Sequence, residues 1–274
     1  MKTWVNGTIL EAAESFVSVF DHGLTVGDGV FETTKVVDGA PFALTRHLVR
    51  LQSSARGLGL PDPDLDLVRH AVDDVLLEND TDGALRLRIT YTGGVSPLGS
   101  DRGDSAPTLV VALAPIKAWA PTAVLATVPW PRNERAPTAG LKTTSYADNV
   151  IALAYAKARG AAEAVLANTA GYLCEGTGSN VFVVLAGELV TPPLASGCLA
   201  GVTRALVLEW TGAVERDVPL GALLEADEVF LTSSTRDVQA VHAVGDDAYP
   251  DAPGPLTRQA AATFAERAAA DVDP

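Results

Sequence analysis

A lysine at position 142 stands in the stretch GLKTTSYADN, residues 140–149, just ahead of the apolar helical run VIALAYAKARGA. A lysine at the end of an element, partly removed from water, can present a neutral amine for Schiff-base chemistry. An ordinary surface charge near the start of a helix would explain the same residue. Lys142 is therefore a candidate catalytic amine whose interpretation depends on the rest of the chain.

A carboxylate with possible chemistry lies further along, in CEGTGSNVF, residues 174–182. Glu175 sits beside a turn of small residues and ahead of a β-rich run. A carboxylate at the mouth of a sheet can pair with the nitrogen of a pyridine-like ring and keep that nitrogen protonated. An acidic turn residue is the simpler alternative. Cys174 and Cys198 are interpreted as small buried hydrophobic residues.

Two stretches have the composition of an anion site. Gly201, Val202 and Thr203 open the predicted helix VTRALVLEW, and the free N–H groups of a helix start attract negative charge. The stretch LTSST, residues 231–235, ends a predicted strand with hydroxyls and amides that could bind the same phosphate. Simple helix capping and a polar turn are the alternatives for the two stretches.

The elements that must position these residues are hairpins and helices without strict strand–helix alternation. Hairpins with the turn pairs NG and DG are predicted within residues 3–10 and 29–44, and Thr45 is the predicted N-cap of the helix that follows. An acidic helix is predicted just before DEVFLTSST. A Pro- and Ala-containing break near residues 115–122 indicates a linker. The pattern predicts an α+β fold of two domains, residues 1–117 and 118–274.

Composition excludes several classes of protein. The 274 residues are 47% hydrophobic and carry a formal net charge of −14, which makes nucleic-acid and anionic-membrane binding unfavourable. The two cysteines form neither a disulfide framework nor a metal-binding pattern, so no metal is predicted. No export signal is visible, and no run approaches the roughly 18 apolar residues of a membrane helix. The sequence predicts a soluble, cytoplasmic protein.

Taken in this order, the stretches resemble the class IV aminotransferase family, the fold-type IV pyridoxal-phosphate enzymes. The segments DHGLTVGDGVFETTKVVDG and RHLVRLQSSARGLGL match the family's glycine-rich start and its helix with an Arg-Leu pair. The resemblance covers nearly the whole chain. It implies a pyridoxal 5'-phosphate cofactor bound in a cleft between the two domains. It also implies a homodimer in which residues of the N-terminal domain reach the partner's site.

The resemblance also implies roles for individual residues. Lys142 would form the Schiff base with the cofactor and move protons, and Glu175 would pair with the pyridine nitrogen. The phosphate would be bound by Arg50, Val202, Thr203 and Ser234, and Leu199 would pack on the face of the ring. Tyr146 would lie near the ring hydroxyl, although its spacing from the lysine is one residue shorter than in branched-chain enzymes.

The member of the family that the chain resembles most is predicted to be a bacterial aminodeoxychorismate lyase, which converts 4-amino-4-deoxychorismate to 4-aminobenzoate and pyruvate. The reason is Tyr91, which stands where D-amino acid enzymes carry a carboxylate-binding arginine. Substrate contacts are predicted for Phe31, Tyr91, Arg102, Arg132 and Thr235. A transaminase of D-amino acids, branched-chain amino acids or amines is the first alternative, and a non-catalytic member that binds the cofactor is the second.

Overall fold

The computed structural model describes residues 1–274 and divides them into two compact units. Unit 1 comprises Met1–Lys117, Leu141–Tyr146 and Val272–Pro274, and unit 2 comprises Ala118–Gly140 and Ala147–Asp271. The mixture of helices and sheets confirms the predicted α+β class. The sequence-based division placed every residue after 117 in the second domain, whereas two short segments from that half of the chain pack with unit 1.

Unit 1 contains a six-stranded antiparallel sheet and three helices. The strands run in the order β2-β1-β6-β5-β3-β4. Their bounds are β1 Lys2–Val5, β2 Thr8–Glu11, β3 Gly29–Val37, β4 Ala40–Pro41, β5 Leu85–Thr92 and β6 Thr108–Pro115. The helices are α1 His22–Thr25, α2 Leu44–Leu58 and α3 Leu65–Leu77.

The core of unit 1 lies between this sheet and the helices α2 and α3. Leu48 and Leu51 of α2 and Val72 of α3 are at most 1% exposed, as their helical spacing predicts. The alternate residues of β3 and β5 that face them are buried in the same cluster. The residues between those core positions therefore lie on the opposite face of the sheet.

Helix α2 does not begin where the sequence predicted. Its N-cap is Ala43, which has a left-handed φ of 53° and no capping side chain, and Thr45 lies within the first turn. The cap comes from the far end of the chain, because the Asp273 carboxylate accepts bonds from the Thr45 amide (2.8 Å) and hydroxyl (2.5 Å). The Ala43 amide also donates to the Val272 carbonyl at 2.7 Å. No local sequence pattern could reveal a cap 228 residues away.

The segment Leu141–Tyr146 is attached to the start of β3 by backbone hydrogen bonds. The Phe31 amide donates to the Lys142 carbonyl (3.0 Å), and the Thr144 amide donates to the Gly29 carbonyl (2.8 Å). The Lys142 amide donates to the Ser54 hydroxyl of α2 at 3.1 Å. A Cβ on Gly57 of α2 would come within 2.6 Å of a terminal methyl of Leu141, so the Leu141 side chain would have to shift to accommodate one.

Unit 2 contains a nine-stranded mixed sheet. Eight strands run in the order β12-β11-β10-β13-β14-β7-β8-β9, and β15 pairs with β14. The bounds are β7 Thr122–Thr127, β8 Glu163–Ala167, β9 Leu173–Gly176, β10 Asn180–Leu185, β11 Glu188–Thr191, β12 Val214–Glu215, β13 Glu228–Ser233, β14 Asp237–Val244 and β15 Asp247–Ala248. Because β7 and β8 are adjacent and parallel, they require a crossover, which α4 Ala147–Lys157 provides together with the lysine segment.

The remaining helices of unit 2 are α5 Val202–Thr211 and α6 Pro255–Ala270. The acidic helix predicted before DEVFLTSST is instead a short 3₁₀ turn, Leu220–Leu224, because Pro219 precedes it and Gly221 interrupts it. Neither α6, the longest helix, nor any other helix is long and apolar enough to cross a membrane.

Candidate active site

Six of the residues predicted to form a site fall into two groups, one in each unit, and each group includes one residue, Arg88 or Asn149, that the sequence did not single out. The Lys142 group in unit 1 consists of Lys142, Tyr146, Phe31 and Arg88. The Glu175 group in unit 2 consists of Glu175, Leu199, Arg132 and Asn149. Each group is held together by contacts within its own unit.

The Lys142 group surrounds the ring of Phe31, which is 4% exposed. The Lys142 ammonium nitrogen lies 4.4 Å from the ring centroid, and the Tyr146 ring meets it edge-on with 5.3 Å between centroids. Phe31 lies on the face of β3 opposite the core, and the hydrogen-bonded pairing of the lysine segment with β3 brings Lys142 to that face. The structure therefore brings together three residues that the sequence singled out separately.

Arg88 is the member of this group that the sequence did not identify. Its guanidinium carbon stacks 3.4 Å from the Phe31 ring centroid, and its only hydrogen bond, at 3.3 Å, is to the Thr33 hydroxyl. Burial lowers the pKa of Arg88 to about 10, which the neighbouring Tyr146 and Glu32 offset only in part. Arg88 forms no ion pair, so it is a half-buried cation with capacity for an anion.

The only signal for Arg88 in the sequence is its place in LRLRITYT, the sequence of β5. Leu87 and Ile89 face the core, so alternation puts Arg88 on the other face of the strand. Alternation does not reveal whether other residues cover that face of the sheet or leave it exposed to solvent. Arg86 has the same parity and is exposed.

A second charged cluster in unit 1 lies between β3 and α2 and consists of Glu32, His47 and Arg50. The Glu32 carboxylate accepts two parallel bonds from Arg50, at 2.8 Å from Nε and 2.7 Å from Nη2. His47 Nδ1 lies 2.6 Å from the same carboxylate. Arg50 was singled out from the sequence, whereas Glu32 and His47 were missed. The signal for Glu32 is a single acid in the β-rich run GVFETTKVV at a position that faces the core.

The electrostatics of this cluster favour an ionised Glu32 and a neutral His47. Burial alone would raise the pKa of Glu32, but the Arg50 guanidinium and the His47 bond lower it from 4.5 to about 2. Burial lowers the pKa of His47 below its usual 6.5, against the opposing effect of Glu32. A neutral imidazole that donates from Nδ1 is the form that matches an ionised carboxylate.

Two of the residues predicted to contact substrate have other positions. Tyr91 packs in the core of unit 1 and is 8% exposed, on the face of β5 opposite to Arg88. Arg102 binds the Asp28 carboxylate at 2.5 and 2.7 Å and the carbonyls of Leu58 and Gly59 after α2. These contacts fix a loop against a helix end, so the structure gives Tyr91 and Arg102 structural roles.

The Glu175 group links a strand to the loop before α5. Glu175 lies on β9, and its Oε2 accepts the Leu199 amide at 2.9 Å. Its Oε1 is 3.2 Å from Arg132 Nε, an ion pair whose angle is not that of a hydrogen bond. Arg132 also donates to Asn149 Oδ1 at 2.9 Å. Arg132 was predicted to bind substrate, whereas in the structure its guanidinium pairs with Glu175.

The predicted anion-binding stretches of unit 2 begin a helix and form a turn. Helix α5 starts after Gly201 with no side-chain cap, and Val202 and Thr203 form its first turn. Its first N–H groups have no partner within the helix. Ser234 and Thr235 form the turn between β13 and β14, which Arg236 fixes by donating to Glu163 at 3.0 Å. Cys174 and Cys198 are at most 2% exposed, which confirms that they are buried.

The comparisons with known proteins agree with this architecture. A model of the class IV aminotransferases matches residues 29–244. A putative branched-chain-amino-acid aminotransferase of Methanocaldococcus jannaschii is 34% identical over 266 residues, which cover 88% of this chain and 87% of that protein. A bifunctional aminodeoxychorismate lyase / D-amino acid transaminase of Mycobacterium tuberculosis is 31% identical over 284 residues, 92% of this chain and 94% of that one.

A solved structure shares the fold over its full length. A hypothetical aminotransferase from Mycobacterium tuberculosis, in a form with bound pyridoxal phosphate, aligns with a TM-score of 0.88 and 29% identity over 100% of both chains. The fold is that of a fold-type IV pyridoxal-phosphate enzyme. The chain belongs to the class IV aminotransferase family, whose members depend on that cofactor.

The residues present fit pyridoxal phosphate. The uncapped start of α5 and the Arg50 guanidinium suit a dianionic phosphate, because free backbone amides and a planar fork of donors both bind phosphate oxygens. The Glu175 carboxylate suits a protonated ring nitrogen, and the Lys142 amine suits an aldehyde. The residues present therefore include candidate partners for the phosphate, the ring nitrogen and the aldehyde of the cofactor.

The pKa of Glu32 makes the stability of the protein depend on pH in a predictable direction. A carboxyl whose pKa is lower in the folded state contributes stability above its unfolded pKa and loses it as the pH falls. For Glu32 that loss extends from about pH 4.5 down to about pH 2. Replacing Glu32 with Gln should lower stability at pH 6 and flatten the loss of stability below about pH 4.5.

Urea unfolding followed by circular dichroism at pH 6 and pH 3 measures this change. Glu14→Gln is the control, since Glu14 is an exposed acid in the same unit and should leave the pH dependence unchanged. If the free energy of unfolding changed equally between pH 6 and pH 3 in the wild-type and Glu32→Gln proteins, the assignment of the lowered pKa to Glu32 would be contradicted.

Proposed function

We propose that the protein is a pyridoxal-phosphate-dependent transaminase that moves an amino group between an amino acid and a 2-oxo acid. The observation that carries this proposal is the half-buried Arg88, which has no ion-pair partner and stacks on Phe31 beside Lys142. Amino acids and 2-oxo acids both carry a carboxylate next to the reacting carbon. A guanidinium can bind that carboxylate through two parallel hydrogen bonds.

In this proposal the cofactor is bound by the residues to which the family resemblance assigns that role. Lys142 attaches it covalently, Glu175 holds its ring nitrogen protonated, and Leu199 packs on the ring. Arg50, Val202, Thr203 and Ser234 bind its phosphate. When bound, pyridoxal phosphate supplies an electron sink that makes the carbon bearing the amino group acidic.

The residues of the chain supply binding and proton transfer. Lys142 Nζ would take the proton from the substrate carbon that bears the amino group and hold it for return later in the reaction. Phe31 covers one side of Lys142 with an apolar ring, which limits the water around its amine. Tyr146 extends this aromatic wall and can place a hydroxyl beside the reacting atoms. Thr235 can add its backbone amide to the binding of the carboxylate.

Aminodeoxychorismate lyase is the second candidate. A relative that is 31% identical carries both activities in its name, which supports a close relation between the two reactions on this fold. The preference for a lyase rested on the absence of an arginine at position 91. Arg88, three residues earlier on the same strand, supplies a cation on the face that Lys142 shares, which removes that reason.

Two reactions distinguish the candidates. We expect borohydride to fix the cofactor on Lys142, as read by peptide mass spectrometry. The enzyme should then transfer an amino group from an L- or D-amino acid to 2-oxoglutarate, with Lys142→Ala inactive. Release of 4-aminobenzoate and pyruvate from aminodeoxychorismate, without transfer from amino acids, would establish the lyase. Failure of the cofactor to attach at Lys142 would refute both.

Arg88→Gln tests the binding of the substrate carboxylate. We expect KM for the amino acid to rise by about tenfold or more, the effect of about 1.5–3 kcal/mol for a lost charge-assisted hydrogen bond, with a smaller fall in kcat. A primary amine with the same side chain but no carboxylate should react equally well with both proteins. Tyr91→Phe is the matched control and should leave KM unchanged. An unchanged KM in Arg88→Gln would place the carboxylate elsewhere.

We also propose that the protein forms a homodimer. Unit 1 exposes four large apolar side chains in two segments joined by backbone hydrogen bonds: Phe16, Val19 and Leu24 before β3, and Leu98 after β5, each at least 67% exposed; we call these four residues the apolar patch. Contiguous apolar patches on a water-soluble surface are typical of interfaces between proteins. A second copy of the chain is the proposed occupant, as the family resemblance implies.

Sedimentation equilibrium tests the dimer. The wild-type protein should have twice the 28.4 kDa mass of the chain, and the double variant Phe16→Glu, Leu98→Glu should shift toward the monomer. Leu77→Glu is the control, because Leu77 is 83% exposed at the end of α3 outside the patch. A wild-type monomer with full activity would refute the proposal.

A further inference from the structure

We propose that Glu32 and His47 are positioning residues that hold the Arg50 guanidinium in the orientation that binds the phosphate of the cofactor. They would thereby set the preference of the enzyme for pyridoxal phosphate over unphosphorylated pyridoxal. The inference rests on the proposed function, because it assumes that Arg50 contacts the phosphate.

The geometry of the cluster fixes the orientation of Arg50. Glu32 engages Nε and Nη2 together, and a bidentate contact of this kind leaves the planar guanidinium no freedom to rotate. His47 Nδ1 holds the same Glu32 oxygen that Nη2 contacts, so that the carboxylate itself is fixed from a second direction. His47 and Arg50 are three residues apart on α2, which puts both side chains on one face of the helix.

Burial distinguishes the roles of the three residues. The side chains of Glu32 and His47 are each 1% exposed, whereas that of Arg50 is 12% exposed. Arg50 is therefore the member of the cluster that reaches the surface of unit 1. Glu32 and His47 are too deeply buried to contact a ligand, so they would influence ligand binding through the Arg50 guanidinium.

The ion pair lies between elements that also contribute to the apolar core. Val30 and Val36 of β3 and Leu48 and Leu51 of α2 belong to one buried apolar cluster. Apolar residues of similar size stabilise such a position as well as a buried ion pair does, or better. A carboxylate kept ionised at this depth therefore points to a need for a guanidinium in one fixed orientation. Fixing that side chain in advance removes the loss of rotamer entropy that phosphate binding would otherwise incur.

The test compares two ligands and keeps the charge of the cluster constant. Apo protein is titrated with pyridoxal 5'-phosphate and with pyridoxal, and the ratio of the two dissociation constants gives the contribution of the phosphate. Glu32→Asp retains the negative charge but shortens the side chain, so that it cannot reach both Arg50 nitrogens. We expect the ratio to fall by about tenfold, the equivalent of one charge-assisted hydrogen bond. Pyridoxal should bind the variant as it binds the wild type.

The matched control is Glu228→Asp. Glu228 is a carboxylate of unit 2 that is 8% exposed and accepts the amides of Leu256 and Thr257 at the start of α6. The same loss of one methylene there should leave the ligand ratio unchanged. His47→Leu is the second variant and is used if Glu32→Asp does not fold. The ratio of the two dissociation constants should fall in this variant as well.

The outcomes separate the inference from the proposed function. A wild-type protein that binds pyridoxal as tightly as its phosphate would refute the role of Arg50, and with it the basis of the inference. A wild-type protein that prefers the phosphate, together with a folded Glu32→Asp protein whose ratio is unchanged or larger, would overturn the inference alone. Equal losses for both ligands in Glu32→Asp would also overturn it, because they would indicate a purely structural role.

Discussion

The backbone pairing between the lysine segment and β3 is the constraint on which the Lys142 group depends. Two hydrogen bonds, from Phe31 to Lys142 and from Thr144 to Gly29, fix the register of a segment that lies more than 100 residues away in the sequence. Lys142 therefore meets Phe31 because of strand register, which side-chain packing then completes. Because its segment is hydrogen-bonded to β3, the Lys142 backbone has little freedom to move relative to Phe31 and Arg88.

Arg50 and Arg88 are half-buried arginines of unit 1. Their partners differ because they lie on opposite faces of the sheet. Glu32 faces the core, so Arg50 reaches it from α2 and the two charges neutralise each other. Arg88 lies on the opposite face of the sheet, where it has an aromatic ring in place of a carboxylate. A guanidinium on an aromatic face is stabilised without losing its hydrogen-bonding edge. One sheet thus separates an arginine that a carboxylate orients from an arginine that stacks on an aromatic ring.

The sequence was informative wherever a signal was local. The α+β class, the hairpins and the amphipathic helices follow from periodicity and turn residues, and Lys142, Phe31 and Tyr146 were singled out before the structure placed them together. Three things could not be read from local pattern. The cap of α2 comes from Asp273, the burial of Arg88 depends on the segment that covers β3, and Arg132 pairs with Glu175 across strands. Each depends on a contact between residues distant in the chain, which single-sequence patterns do not encode.

The return of residues 272–274 to unit 1 has a consequence for synthesis on the ribosome. Most of unit 1 emerges first, yet the amides that start α2 receive their carboxylate only after the whole of unit 2 has been translated. Domains of a nascent chain usually fold in the order in which they emerge. Here the first unit can collapse early, but the Thr45 amide and hydroxyl at the start of α2 lack this carboxylate until Asp273 has been translated. Chaperones that scan nascent chains would encounter unit 1 in this unfinished form throughout elongation.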